Sequence, residues 1–168
     1  MAVIIGVALT AVVIIIVLVL TGVLGGRTAK PSLTVGKDIS ADEITEFYYT
    51  YDASTNPPEF QRFRFYKESA NCCFYHETRE GDHWPLTEAD ISSSGTKELT
   101  AQQWQAFVDC VDGGTVRKRA EHTEAGDAGP WLYLYWRGDG GDYQEFTFSS
   151  AEKQAAFEQL CEVLKAQS

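Results

Sequence analysis

The chain has 168 residues, and its 14 Lys and Arg face 24 Asp and Glu, a net charge of −10. A surface this acidic repels nucleic acid and anionic lipid headgroups, so no nucleic-acid role is expected. All 4 Trp, 8 Tyr and 9 Phe lie beyond residue 24, a content that excludes a disordered chain.

The first predicted element is Val3 to Leu24, VIIGVALTAVVIIIVLVLTGVL, 22 residues without a charge or a proline. As a helix it spans about 33 Å, enough for a hydrocarbon core of about 30 Å, so the pattern predicts a transmembrane helix. The run exceeds a signal-peptide core, Met1-Ala2 carries no Lys or Arg, and no lipobox cysteine follows. The helix is therefore expected to stay on the mature protein. Arg27, Lys30 and Lys37 follow it, which by the positive-inside rule puts the domain in the cytoplasm. Asp38, Asp42 and Glu43 follow closely, and the competing reading is an uncleaved export anchor with an extracytoplasmic domain. The expected organisation is a transmembrane helix at 1–24, a Gly-, Ser- and Thr-rich linker at 25–40, and a soluble domain at 41–168 in a single-pass protein of the cell membrane. The lipid bilayer is then a partner through residues 3–24.

Ile44 to Tyr51 (ITEFYYTY) has the β-branched and aromatic content of a strand. After a turn at 52–58, Phe60 to Tyr66 (FQRFRFY) alternates, with Phe63 and Phe65 on one face and Arg62, Arg64 and Tyr66 on the other. Cys72 to Thr78 reads as a third strand, and Arg79 to Glu98 as polar and irregular. Thr100 with Gln103 forms a capping box, and Leu99 with Trp104 a hydrophobic staple. Trp104, Phe107, Val108 and Val111 then recur at helical spacing up to a Gly113 stop. Thr115 to Arg119 is a short strand or an exposed turn. Trp131 to Trp136 (WLYLYW) is the most strand-like run; Gly138-Asp139-Gly140-Gly141 reads as a hairpin turn, and Tyr143 to Phe148 returns. Ser149 with Glu152 is expected to cap a last helix that buries Phe157, Leu160, Cys161 and Leu164. The resulting order is β-β-β-α-β-β-α. It predicts an α+β two-layer sandwich, an antiparallel sheet with both helices on one face, behind the transmembrane helix.

Chemistry is sparse. His76-Glu77 and Asp82-His83 form a candidate metal or hydrolytic cluster, but without ligand spacing such as H-E-x-x-H. Asp139 to Asp142 lacks the alternating ligands of a calcium loop, and the hairpin explains it. No G-x-S-x-G elbow and no phosphate-binding glycine loop occurs. Cys73 and His76, three apart on a strand, face opposite sides. No catalytic residue, metal or cofactor is therefore expected. Cys72 and Cys73, adjacent on a strand, point apart. The four cysteines read as packed thiols, or else as a bridge from that pair to Cys110 or Cys161. Cys161 lies within its helix stripe, and Cys110 lies off its own and is expected to be the more reactive.

The remaining feature is a sheet face carrying Tyr48, Arg62, Arg64, Tyr66, Trp131, Tyr133 and Tyr135. Tyr, Trp and Arg are the residue types enriched at interface hot spots. The bland alternative is that these rings cover a core sheet. The ending WLYLYWRGDGGDYQEFTFSSAEKQAAFEQLCEVL resembles the C-terminal part of small anchored or lipoprotein-like domains of Gram-positive gut bacteria, with no established activity. The likeness covers residues 44 to 166 and implies an anchored α+β domain, with no site residue carried over. The chain departs from that pattern in having no lipobox. The expected function is a membrane-anchored, non-catalytic interaction or binding module of unknown ligand, whose sheet face could take a peptide, a glycan or a partner domain. The alternatives are an enzyme built on His76, Glu77, Asp82 and His83, and an accessory subunit of a membrane complex. The last would use the helix-packing spacings Gly6/Thr10 and Gly22/Gly26.

Overall fold

Among the described residues, eight antiparallel strands form one sheet, and two helices pack on one of its faces. The computed structural model describes residues 32–119, 129–138 and 144–168. The strands are β1 (Leu33–Thr34), β2 (Ile44–Ala53), β3 (Glu59–Glu68), β4 (Asn71–Arg79), β5 (Ile91–Glu98), β6 (Thr115–Lys118), β7 (Trp131–Trp136) and β8 (Gln144–Thr147). Helix α1 (Ala101–Val111) follows β5, and α2 (Ala151–Lys165) closes the chain. The spatial order is β1-β6-β8-β7-β2-β3-β4-β5.

The long central strands form because their residues alternate between two environments. On β2 and β3 the register sets Phe47 opposite Phe65 and Tyr49 opposite Phe63, and β4 adds Phe74 opposite Phe65. These rings point toward the helices. Phe47 lies within 5.2 Å of Phe146 and of Phe157, centroid to centroid, and Phe65 stacks on Phe107 at 4.3 Å and 9°. Phe107, Val111, Phe157, Cys161 and Leu164 seal the layer from the helix side. The β3–β4 hairpin turns through Ser69-Ala70, and Ser69 takes a φ of +56°, as tight two-residue hairpins demand.

The capping box of α1 is present: Gln103 N donates to Thr100 Oγ1 at 3.2 Å, and Thr100 N donates to Gln103 Oε1 at 3.0 Å. Its stop is Gly113, at a φ of +78°. On α2 the cap is Ser150, one residue later than expected, accepting from Lys153 N at 3.3 Å. Ser149 instead donates to Asp112 O.

The fold expectation needs correction. The chain forms an eight-stranded sheet, and the five-stranded order β-β-β-α-β-β-α omits β1, β5 and β6. Strand β5 (ISSSGTKE) falls in the stretch read as irregular. It is an edge strand with solvent on much of both faces, so it shows no apolar alternation, and β4 holds it through the backbone. Strand β1 lies in the segment read as a linker, where Val35 and Ile39 are fully buried. No helix among the described residues is long and apolar enough to cross a membrane. The run at 3–24, read as a transmembrane helix, lies outside the described residues, as do His122 and most of the Gly138–Gly141 turn.

Candidate functional site

Strand alternation sends the other side chains of the sheet away from the helices, and among the described residues no helix packs on that face. Register then decides which of these side chains become neighbours. One row crosses the sheet as Arg117, Glu145, Tyr133, Tyr48, Arg64, Tyr75 and Thr96, one residue from each of β6, β8, β7, β2, β3, β4 and β5. A second row runs Trp131, Thr50, Arg62, Glu77, Ser94. A third runs Tyr135, Glu46, Tyr66, Cys73, Glu98. The seven side chains singled out from the sequence therefore all lie on this open face, in three adjacent rows, each half-buried by its neighbours.

Stacking and charge hold the face together. The Arg64 guanidinium lies 4.2 Å from the centroid of Tyr66 and 5.5 Å from that of Tyr48, and its Nε donates to Glu46. Arg119 lies 5.0 Å over Tyr133, and Arg79 4.0 Å over Phe60. Lysines sit elsewhere. Lys67 and Lys97 share the helix face with Cys72 and Phe74. Arginine's flat, weakly hydrated fork stacks on rings and spreads its donors, which the lysine ammonium does not.

Glu77 is the buried centre of one end of the face. Its Oε1 accepts from Arg79 Nε at 2.8 Å and from Arg79 Nη2 at 2.6 Å, and its Oε2 accepts from Tyr75 OH at 2.6 Å. Arg62 stands 3.6 Å away. Burial pushes the Glu77 carboxyl up, but the bonds from Tyr75 and Arg79 and the two positive charges outweigh it, so the group titrates below the usual carboxylate range. The Tyr75 phenol is pushed up to about 12, first by burial and then by Glu77. Arg79 also donates to Leu86 O at 3.1 Å, which ties the loop after β4 to the sheet. That loop brings Trp84 beside the face, its Nε1 donating to Asp52 Oδ1 at 3.2 Å with the ring 42% exposed. Tyr75, Glu77, Arg79, Phe60 and Trp84 were not read as part of the surface. Tyr75 and Glu77 share a two-residue period in CCFYHETR that would have placed them there. Trp84 sits in a turn and carries no such signal.

The His76, Glu77, Asp82 and His83 grouping is not assembled. His76 lies on the helix side of β4, and Glu77, the next residue, on the open side. His83 is exposed in the following loop, with Nε2 3.5 Å from Asp90 and Nδ1 3.6 Å from Asp82. Among the described residues no three His, Cys, Asp or Glu side chains could hold a metal ion. His76 is 5% exposed, at a cavity of about 370 Å³ lined also by Ser93, Glu162, Lys165 and Ser168. Burial first, then Lys165, lowers its pKa. The cysteines are four free thiols. Cys110, expected to be the more reactive, is buried in the core, because α1 sinks deeper than a single stripe implies. Burial raises its pKa and raises that of Cys161 further.

Comparison of the chain with protein-family models, with curated proteins and with solved structures finds no match in any of the three.

Proposed function

We propose that this chain is a membrane-attached, non-catalytic binding module whose open sheet face takes a polypeptide partner. The observation that carries the reading is the alignment of Tyr133, Tyr48, Arg64 and Tyr75 on four neighbouring strands, on the sheet face away from α1 and α2. Solvent-accessible rings and guanidinium groups in that density supply large contact area with few rotatable bonds to order, the property of interface anchors. Arg64 keeps Nε on Glu46 and lays its guanidinium over the rings of Tyr66 and Tyr48. The apolar composition of residues 3–24 supports attachment to a bilayer. Arg27, Lys30 and Lys37 beyond it support a cytoplasmic domain.

The test is selection of a random-peptide display library on the full chain in lipid nanodiscs, with each ligand mapped by backbone amide shifts. The reading predicts ligands that move residues of β2, β3, β4 and β7 on the open face. Ligands that gather only on α1 and α2, or none beyond empty nanodiscs, would overturn it.

A further inference from the structure

We infer that the cavity beside His76 is a binding site for a small zwitterion, a free α-amino acid with a neutral polar side chain. The site lies on the helix side of the sheet, where the end of α2 meets β4 and the edge strand β5, so it stands apart from the reading above. The cavity measures about 370 Å³, within the range of small-molecule sites. His76 on β4 and Ser93 on β5 line it from the sheet, and Glu162, Lys165 and Ser168 line it from α2 and the residues just beyond. Gly95 keeps the space open, since a Cβ there would lie 2.7 Å from His76 Nε2 and 3.0 Å from Ser168 Cβ.

The wall on α2 carries both signs of charge. Glu162 and Lys165 stand three residues apart, a spacing at which helical side chains can pair, yet no ion pair joins them. Among the described residues the Lys165 ammonium has no hydrogen-bond or ion-pair partner, and the Glu162 carboxylate accepts only from the neutral amide of Gln61, at 3.3 Å. A zwitterion answers both groups, its carboxylate on Lys165 and its ammonium on Glu162. Its zero net charge also meets no repulsion from a chain of net charge −10, as a free anion does. The sheet side is polar and uncharged. His76 is 5% exposed, and its Nδ1 is buried without a hydrogen-bond partner, whereas buried polar atoms of native folds are paired with protein, water or ligand. Burial and Lys165 lower the His76 pKa, which leaves the imidazole neutral at pH 7. With the Ser93 hydroxyl it offers hydrogen bonds to a neutral polar side chain, and a hydrocarbon side chain would leave those groups unanswered.

The experiment titrates the isotopically labelled full chain in nanodiscs with L-glutamine, L-leucine, acetate and methylammonium, and follows backbone amide shifts. The inference predicts that L-glutamine shifts His76, Ser93, Gly95 and the residues from Glu162 to Ser168. L-Leucine, acetate and methylammonium should each bind at least about fivefold more weakly than L-glutamine. Lys165→Met and Glu162→Gln should each weaken L-glutamine by about fivefold or more. Both positions lie on the solvent side of α2, and the shift map on the unaltered chain keeps the test decisive if a variant fails to fold. No saturable shifts from L-glutamine, shifts confined to the open face, or a response to acetate as strong as that to L-glutamine would overturn the inference. Binding that survives both variants unchanged would overturn it as well. Peptide ligands on the open face have no bearing on this outcome, so either reading can fall while the other stands.

Discussion

Replacing Glu77 with alanine tests the polar end of the open face. In the folded chain the Glu77 side chain is 5% exposed and that of Arg79 8%, and they share two N–H···O contacts at 2.8 and 2.6 Å. Removing the carboxylate leaves a buried guanidinium without its counter-ion and Tyr75 OH without its acceptor. Loss of one partner from a buried pair costs about 3–5 kcal/mol. The Arg62 contact, at 3.6 Å with Arg62 31% exposed, is screened and adds at most about 1 kcal/mol. Against a typical domain stability of about 5–15 kcal/mol, this loss is large. The assay is urea denaturation of the full chain in detergent, followed by tryptophan fluorescence, with Glu77→Ala expected to lower the midpoint at an unchanged slope. A Glu77→Met/Arg79→Met double variant should recover much of the loss, because an apolar pair of similar volume removes both charges. The pH dependence has a defined sign. The folded pKa of Glu77 lies below its ordinary 4.5, so its contribution is present above about pH 4.5 and is lost as pH falls through the folded value. Glu77→Gln should flatten that acid limb, and the Tyr75 phenol should titrate lower than its present value of about 12. A Glu77→Ala variant within about 1 kcal/mol of the unaltered chain would refute the reasoning, since that is the level of an exposed ion pair.

Further outcomes follow from the same geometry. Phe47→Ala should cost about 3–5 kcal/mol in the same assay, since Phe47 contacts rings from both helices and from β8. Gly95→Ala should cost about 1–3 kcal/mol, because a Cβ there would lie 2.7 Å from His76 Nε2 and 3.0 Å from Ser168 Cβ. The lowered His76 pKa makes stability fall as pH drops below the ordinary 6.5, so comparing urea midpoints at pH 7 and 5.5 should show a slope that His76→Leu removes. For the thiols, a membrane-impermeant maleimide applied to native protein should modify the half-buried Cys72 and spare Cys110 and Cys161 until denaturant is added. In cells, a cytoplasmic domain predicts labelling of Cys72 only after lysis.

What could be read from the chain alone depended on asymmetry of environment. Strands β2, β3 and β7 were legible because one face of each meets the helix layer and the other meets solvent, so Phe63 and Phe65 alternate with Arg62 and Arg64. The same period put the seven Tyr, Trp and Arg side chains of the open face on one side. Their alignment into rows was not legible, because register is set between strands and leaves no trace within one. Strand β5 was invisible because an edge strand of Ser, Gly and Thr buries little on either face. Val35 and Ile39 look isolated among polar neighbours, and their burial depends on contacts far along the chain, such as the bond from Val35 N to Gly114 O at 2.9 Å. Glu77 resembles any surface carboxylate until Tyr75, Arg79 and Arg62 are seen to converge on it.

The central claim, that the open face is where a partner binds, is tested most directly by site-specific photo-crosslinking in intact cells. A benzophenone side chain would replace Tyr48 or Thr96 on the open face, with Gln105 on the outer side of α1 as control. The account predicts discrete polypeptide adducts from the face positions, abolished by Arg64→Ala, and none from Gln105. Adducts from Gln105 with none from Tyr48 or Thr96 would contradict it.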